Sequence, residues 1–478
     1  MTSGARGNDV DAVVVGSGPN GLVAAVTLAQ AGWKVVVFEA AEQYGGGTRT
    51  EEFTLPGFRH DVCSAVHPMV LASPAFRELG LEREGLSLAQ PPIPLAHPLA
   101  PGFSAYLRRE VAATAAGLGR DRRYWATVVG GLASHWEAMV AGVLDPTALP
   151  PRAPLATLGF GAAGVWPTTL VTRALRDEPA KALLAGLAGH TFLDLGEPMT
   201  TGMGMLLGVL GHAVGWPVAV GGSQSIADAL VRRLTSLGGE VVLGHRVDSV
   251  DSLPAARAVV LDLTPRQVLA VAGRRLPGKY ADRLARWKYG PGVFKVDWAL
   301  DGPAPWLDAE LAGAGTVHLA GPAAKVIDSE RTVARGGIPA EPFVLFSQPC
   351  VADPSRAPEG KHTAWAYCHV PNGSDADLTA AIEAQVEKFA PGFRDRILAR
   401  HVMGTAAMEA HNPNNVGGSV DGGSSTWRQL AARPSFSLTP WATPDPGLFL
   451  CSSSTLPGGG VHGMGGHHAA RTILARLG

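Results

Sequence analysis

A glycine pattern near the amino terminus, together with an acidic residue downstream of it, could bind a dinucleotide. Gly16, Gly18 and Gly21 form GxGxxG between two apolar runs in VDAVVVGSGPNGLVAAVTLAQAGWKVVVFEA. In this context the first glycine makes a tight turn, the second admits a pyrophosphate, and the third lets a helix pack on a strand. Glu39 ends the second apolar run, where its carboxylate can accept both hydroxyls of an adenosine ribose. The pattern predicts a dinucleotide site that disfavours a 2′-phosphate.

A second glycine cluster, Gly45 to Gly47, follows the ribose acid directly and precedes Thr48 and Arg49. Backbone without side chains can pass close to a diphosphate, and an arginine can neutralise it. An ordinary glycine turn is the alternative. A further glycine motif, GFGAAG at 159–164, follows a proline-rich stretch and opens no strand-helix-strand unit, so we expect it to bind nothing.

One lysine and several histidines could hold or move protons. In GVFKVDWAL, Lys295 and Asp297 alternate with apolar residues, as in a half-buried strand. Lys295 then points either into a site or to solvent on the polar face of a sheet. Acid-base chemistry is open to imidazoles near neutral pH, and the candidates are His67, His462, His467 and His468, with His60 and Asp61 as further ones. For each histidine, a structural hydrogen-bonded role is the alternative.

The elements that must position these residues are read from apolar periodicity. A strand at 10–15, a helix at 19–30 and a strand at 34–38 form a βαβ unit. After a middle section, Gly221 and Gly222 lead into a helix with a Ser225/Asp228 capping pair, a strand at 241–249 and a buried strand in ARAVVLDLTP. The chain ends with a strand at 448–451, a glycine loop and a helix from about Gly465.

Composition excludes several classes of function. The 40 basic and 41 acidic residues give a net charge close to zero, which does not attract nucleic acid, so the expected partner is a small molecule. The four cysteines lie far apart, without a CxxC pair, which argues against disulfide chemistry and a zinc site. We see no secretion signal, and the apolar stretch at 201–216 is too short and glycine-rich to span a membrane, so a cytoplasmic protein is predicted, either monomer or homodimer.

The segment E-x5-GG-x-x-x-T from Glu39, and the terminal LPGGGVHGMGGHH, resemble the motifs of the phytoene desaturase-like and amine oxidase-type flavoproteins. The resemblance implies FAD, held without a covalent bond because no cysteine lies in the terminal motif; a histidyl link is the alternative. It implies that Val247 offers an amide to the adenine, that the terminal helix begins near the flavin, and that Lys295 holds a water near flavin N5. Ser452 and Ser453 replace the family's usual acid. The implied cofactor residues are Gly16, Gly18, Pro19, Asn20, Gly21, Glu39, Ala40, Gly46, Gly47, Thr48, Arg49, Val247, Ser453, Met464 and Gly465.

We therefore expect an α/β fold in which a Rossmann-type, GR2-like FAD-binding domain carries an inserted α+β substrate domain. The FAD-binding domain comprises 1–75, 215–265 and 431–478, and the substrate-binding domain 76–214 and 266–430. Met203, Met205 and Trp216 suggest a cavity for a hydrophobic substrate, or plain helical core. The expected reaction is dehydrogenation by hydride transfer to flavin N5, with oxygen or another acceptor. The alternatives are an amine oxidase, a redox-neutral flavin isomerase, and a non-catalytic module that binds lipid or a protein partner, as GDP-dissociation inhibitors do.

Overall fold

A five-stranded parallel sheet forms the first layer of this computed structural model, which describes residues 10–148 and 153–478. Each strand is short and apolar, as expected where helices cover both faces of a parallel sheet. In spatial order the strands are Leu448–Leu450, Ala258–Leu261, Ala12–Val15, Val35–Phe38 and Glu240–Val242. Three separate parts of the chain thus build one sheet, which confirms the predicted Rossmann-type α/β fold class.

Alternate side chains of this sheet enter two different cores. On one face, Val14 and Val37 pack with the helices Pro19–Gln30, Gln224–Ser236 and Met464–Leu477. On the other face, Val13 packs with the helices Pro265–Ala272 and Gly278–Ala285. These two helices pack on the nucleotide-binding sheet, although they follow the segment 215–265 that we predict for the FAD-binding domain.

A seven-stranded mixed sheet forms the second layer. Its strands, in spatial order, are Ile397–Met403, Gly292–Leu300, His362–Val370, Val344–Ser347, Ala314–Leu319, Ile93–Ala100 and Phe103–Leu107. One face packs Trp298 and Phe346 against Phe393 and the helix Thr379–Phe389. The other face of the strand Gly292–Leu300, which lies next to the edge strand Ile397–Met403, is turned toward the cavity described below, so this sheet supplies one of the cavity walls.

Helices and small ribbons fill the space beside the sheets. Two-stranded ribbons pair Thr50–Glu51 with His60–Asp61 and Leu88–Ala89 with Val218–Ala219. The remaining α-helices are Pro68–Ala72, Pro74–Leu79, Val111–Ala116, Arg122–Tyr124, Gly130–Ala133, Trp136–Leu144, Pro154–Gly164, Thr168–Ala174, Glu178–Gly189, Thr200–Ala213, Ala323–Ala334, Thr405–His411 and Trp427–Ala431. Among the residues described, no helix is both long enough and apolar enough to cross a bilayer.

Two local predictions are wrong. The helix that follows Gly222 begins at Gln224, and no side chain caps it, because the hydroxyl of Ser225 donates to the carbonyl of Gly222 and Asp228 instead accepts from Gln224. The strand predicted at 241–249 ends at Val242, since the chain turns at Gly244, whose φ is +63°. By contrast, GFGAAG lies within the helix Pro154–Gly164 and not in a nucleotide loop.

Candidate functional site

A cavity of about 760 Å³ runs from the carboxyl ends of the five-stranded sheet to the seven-stranded sheet. Its wall contains fifteen of the residues selected from the sequence: Gly16, Gly18, Pro19, Asn20, Glu39, Ala40, Gly46, Gly47, Thr48, Arg49, His67, Val247, Lys295, Ser453 and His462. Four others, Gly21, Met464, Gly465 and His467, are not in the wall. The size is typical of a cofactor or ligand site.

The first glycine loop has the shape of a cradle. Gly16 has a φ of +98°, and a Cβ on Gly21 would lie 2.2 Å from the carbonyl oxygen of Gly16, so neither position accepts a larger residue. The side chain of Asn20 is buried in this loop, and its Oδ1 has no hydrogen-bond partner among the described residues. A hydroxyl group of a bound ligand could donate to this oxygen, and the free backbone amides at the start of the helix Pro19–Gln30 fit the diphosphate of a dinucleotide.

Glu39 is fixed by the glycine loop. Its Oε2 accepts hydrogen bonds from the backbone N of Ser17 at 2.9 Å and from the Ser17 hydroxyl at 2.5 Å, while its Oε1 accepts from the backbone N of Ala41 at 2.9 Å. The carboxylate is therefore held in one orientation at the cavity edge. A preorganised acceptor of this kind suits a ribose diol.

Arg49 is the cation nearest to the two glycine loops. It is buried, and its guanidinium donates to the carbonyl of Gly46 at 3.1 Å and to the carbonyl of His411 at 2.8 Å. Burial lowers the pKa of Arg49, an effect that Glu51 and Glu39 oppose. A guanidinium stays charged even so, and it places a fixed positive charge beside the diphosphate cradle.

His67 presents an unpaired acceptor to the cavity. The hydroxyl of Ser223 donates to the carbonyl of Ser64 at 2.6 Å, so toward Nε2 of His67, at 2.7 Å, it must accept. The proton of the ring is therefore on Nε2, and the buried Nδ1 has no hydrogen-bond partner within residues 10–148 and 153–478. Burial lowers the pKa of His67 to about 4, which keeps the ring neutral near pH 7.

Lys295 is buried in the cavity wall, which excludes the solvent-facing alternative. Its Nζ lies 2.5 Å from Oδ1 of Asp297 on the same strand face, and both side chains are at most 1% exposed. The rings of Phe53 and Trp365 flank the ammonium at 5.7 and 5.3 Å. Burial alone would raise the pKa of Asp297, but Lys295 and His401 hold it below its usual value. The pair thus forms an ionised, polar point in an otherwise apolar wall.

Two more histidines surround Asp297. His60 Nδ1 lies 3.6 Å from Oδ1 of Asp297, and His401 Nδ1 lies 3.6 Å from its Oδ2. Burial lowers the pKa of His60 to about 4. The side chain of His401 is 32% exposed, so this network reaches from the cavity to solvent. Asp61 lies apart from it and instead forms a buried ion pair with Arg356.

The terminal glycine motif has two separate roles. Its loop, Pro457 to His462, lies in the cavity wall. The helix Met464–Leu477 packs against the first helix instead: a Cβ on Gly465 would lie 2.4 Å from the carbonyl oxygen of Cys451, and one on Gly466 would lie 1.9 Å from that of Asn20. The glycines of the helix therefore serve close helix packing, and those of the loop shape the cavity.

The remaining histidines of this motif differ in position. His462 is in the wall, its Nδ1 accepts from the backbone N of Met464 at 3.1 Å, and burial lowers its pKa to about 4. His467 faces the side chain of Glu78 at 4.0 Å, outside the cavity wall. His468 hydrogen-bonds to the carbonyl of Leu144 at 2.9 Å and stacks on Trp441. The helix turns both side chains away from the cavity, so the structure does not support His467 as an acid-base residue.

Among the wall residues that the sequence analysis did not select, three stand out for their chemistry. Asp262 follows the strand Ala258–Leu261 and lies under the first glycine loop. Trp365 and Tyr367 come from the strand His362–Val370 and stack with ring centroids 5.6 Å apart at an interplanar angle of 14°. Only Asp262 had a usable signal, since a polar residue just after an apolar strand lies at the carboxyl edge of the sheet.

The far end of the cavity is apolar. Its wall there is made by side chains of the helical region and the second sheet: Phe160, Phe192, Met203, Leu206, Leu207, Trp216 and Leu345. Cys63 also lines the cavity, and burial raises its pKa to about 11, so its thiol stays protonated. The protein's four cysteines all lie in the described ranges, and all are free.

Comparison with known proteins adds to this geometry. A family model described as an NAD(P)-binding Rossmann-like domain matches residues 14–79. The chain is 26% identical to the Mus musculus pyridine nucleotide-disulfide oxidoreductase domain-containing protein 2, over 99% of this chain and 95% of the relative. It is also 26% identical to the neurosporene-forming phytoene desaturase of Rhodobacter capsulatus, over 94% of this chain and 91% of the relative.

A solved structure, an oxidoreductase from Methanosarcina mazei, shares the fold with a TM-score of 0.65 at 17% identity, covering 97% of this chain and 100% of that one. The similarities extend over nearly the whole chain, and they agree with the glycine cradle and the fixed ribose acid. They are consistent with the resemblance to the phytoene desaturase-like oxidoreductases that the sequence predicts, and they confirm the Rossmann-type α/β fold.

Proposed function

We propose that the protein is an FAD-dependent dehydrogenase that desaturates a hydrophobic small molecule. The observation that carries this proposal is the single cavity that joins a dinucleotide cradle to an apolar chamber, with the buried Lys295 at the wall between them. A cavity of this form brings a cofactor and an apolar substrate into contact away from water.

The residues that would hold FAD are those of the cradle. Gly16, Gly18 and Asn20 would receive the diphosphate at the start of the first helix, Glu39 the ribose, and Arg49 the phosphate charge. Near the adenine, Val247 is buried in the wall just past the end of Glu240–Val242. We expect noncovalent binding. The electron acceptor, oxygen or another, and a cytoplasmic location stay predictions.

Bound FAD supplies a hydride acceptor at its N5 position. The chain itself contributes orientation and proton handling. The apolar side chains of the chamber, such as Phe192 and Leu206, would orient the substrate and exclude water. Lys295 holds an ammonium proton beside Asp297, and His67 offers a neutral acceptor at Nδ1. Either group can bind a water, and Nδ1 of His67 can take up the proton that a dehydrogenation releases.

Amine oxidation is a second candidate, and the stacked pair of Trp365 and Tyr367 favours it. The terminal motif contains no aromatic pair, but the strand His362–Val370 supplies one opposite Lys295, because Lys295 and Tyr367 are cross-strand neighbours. Two stacked rings in a wall could offer an aromatic face on which an amine substrate packs. The apolar chamber still favours a hydrophobic substrate, so desaturation is the first proposal.

The test begins with the visible absorption spectrum of the purified protein. We expect the bands of oxidised flavin, and their release into the supernatant on denaturation, as a noncovalent cofactor requires. The holoenzyme is then mixed anaerobically with polyenes, cyclic ketones and primary amines, and bleaching of the flavin bands is followed. Bleaching by polyenes alone supports desaturation, and bleaching by amines alone supports amine oxidation. A protein that is colourless and takes up no added FAD contradicts both.

A further inference from the structure

Asp262 occupies an unusual place under the first glycine loop. Its Oδ2 accepts a hydrogen bond from the backbone N of Gly21 at 3.0 Å, and a Cβ on Gly18 would lie 2.6 Å from the same oxygen. The residue is 7% exposed and lines the cavity. A carboxyl group therefore sits at the amino end of the helix Pro19–Gln30, where a dinucleotide diphosphate would bind.

The groups around Asp262 disfavour a negative charge on it. Burial and, to a smaller extent, the carboxylate of Glu39 raise its pKa against the opposing effect of the Gly21 and Gly18 amides, and the result is a pKa of about 7. Cys451, which follows the strand Leu448–Leu450, is a buried thiol whose pKa is raised well above its usual value by burial and by Asp262. None of the causes of the shift in the pKa of Asp262 is a cation. No charged residue lies within Pro19–Gln30.

An ionised Asp262 would repel a diphosphate, whereas a neutral carboxylic acid could donate a hydrogen bond to it. The same loop contains a buried polar atom, Oδ1 of Asn20, that has no hydrogen-bond partner in the part of the chain that the structure describes. We propose that Asp262 is a ligand of the cofactor diphosphate and that it binds as the neutral acid, so that binding of FAD takes up a proton. This inference rests on the proposed function and names a residue that decides how the cofactor is retained.

The uptake of a proton on FAD binding determines in which direction the affinity for FAD changes with pH. If the bound state requires the protonated acid, the affinity for FAD is full below about pH 7 and falls as the pH rises above it, by up to about tenfold per pH unit. A ligand without phosphate should show no such loss. The wild-type protein alone can therefore reveal the effect.

The experiment measures the dissociation constant of FAD from the holoenzyme by ultrafiltration between about pH 6 and about pH 8.5. ADP-ribose and adenosine then compete with FAD at each pH. We expect FAD and ADP-ribose to weaken above pH 7 and adenosine to stay constant. Asp262→Asn keeps a donor that does not titrate, so its FAD affinity should be independent of pH. Asp248→Asn, at an 87% exposed carboxylate nearby in the chain, should retain the wild-type slope.

Each outcome bears on a separate claim. FAD and ADP-ribose binding that is flat with pH in the wild type overturns the role of Asp262 and leaves the proposed function intact. A wild-type slope that persists in Asp262→Asn also overturns it, because another group then titrates. If the Asn variant does not fold, the pH dependence of ADP-ribose and adenosine binding to the wild type still tests the role of Asp262. Failure of the protein to bind FAD at any pH removes the proposed function itself.

Discussion

Lys295 and Asp297 show how a charged pair can be kept inside a protein. Both side chains lie in an apolar wall, so each ion depends on the other for most of its stabilisation. Removing one partner leaves a buried charge, which is costlier than removing both. The pair is therefore best tested by single and double substitution, which separates its effect on stability from its effect on chemistry.

Lys295→Met should slow reoxidation of the photoreduced flavin in air by about tenfold or more, because the ammonium no longer supplies a proton beside the cavity. The flavin content should stay as in the wild type, since the cradle lies on the other sheet. The single variant should also lose about 3–5 kcal/mol of unfolding free energy, measured in urea, because Asp297 stays unpaired.

The double variant Lys295→Met with Asp297→Asn is the control. Removing both charges should restore most of the unfolding free energy that the single variant loses, and reoxidation of the flavin should remain slow. Wild-type reoxidation in the double variant would remove Lys295 from the list of functional residues.

Glu39→Gln should weaken FAD binding by about tenfold to a hundredfold, because hydrogen bonds to a charged acceptor contribute about 1.5–3 kcal/mol. Glu39 also holds the Ser17 hydroxyl, so the effect could arise in the loop alone. Ser17→Ala separates the two causes, and we expect it to retain FAD nearly as the wild type does. Equal losses in both variants, measured by ultrafiltration, would contradict a direct ribose contact.

At the level of elements, the first and the last helix of the chain are locked together by glycine. The helices Pro19–Gln30 and Met464–Leu477 approach so closely that a Cβ on Gly466 would lie 1.9 Å from the Asn20 carbonyl oxygen and 2.9 Å from the backbone N of Ala24. Both obstacles are backbone atoms, which cannot rotate away. This contact joins the diphosphate cradle to the terminal loop of the cavity.

Gly466→Ala should therefore lower the unfolding free energy by about 1–3 kcal/mol or more, because a methyl group must push two helices apart. The matched control is Gly161→Ala in the helix Pro154–Gly164, where a Cβ would meet no atom within 4 Å. That variant should gain up to about 1 kcal/mol, since alanine favours helix over glycine. Urea unfolding measures both, and equal effects would contradict the packing role of Gly466.

The helix 19–30 could be predicted to the residue, because a proline starts it and small residues follow at helical spacing. The strand at 241–249 could not, since its end at Val242 depends on the turn at Gly244 and on pairing with Val35–Phe38. In the site, residues that belong to a contiguous motif could be predicted from the sequence. Residues that reach the cavity only through strand pairing could not. Trp365 and Tyr367 reach the cavity through the pairing of His362–Val370 with Gly292–Leu300, which no local pattern records.

The whole molecule is organised around one cavity between two sheets. The first sheet presents the cradle at its carboxyl edge, and the second presents Lys295, Trp365 and Tyr367 from adjacent strands. Neither wall is complete alone. The arrangement requires polar groups to be buried deep in the protein, and many of those groups are histidines.

Five of the buried histidines have a pKa well below the ordinary value, because burial disfavours the imidazolium. The pKa is about 4 for His60, His67, His97 and His462, and about 3 for His190. In the unfolded chain each ring binds a proton near pH 6.5. The stability that depends on these neutral rings is therefore complete above about pH 6.5 and is lost as the pH falls toward about 4, since the unfolded state then binds more protons.

We expect the urea midpoint to fall steeply between about pH 7 and about pH 5, with each buried histidine contributing up to about 1.4 kcal/mol per pH unit. His97→Gln should make this dependence shallower by about one proton, because His97 is fully buried and its Nδ1 has no partner. His135→Gln, at an exposed histidine, is the control and should leave the slope unchanged. A midpoint constant down to pH 5 would show that these rings are not held neutral, and it would also remove the tautomer argument that makes Nδ1 of His67 an acceptor in the cavity wall.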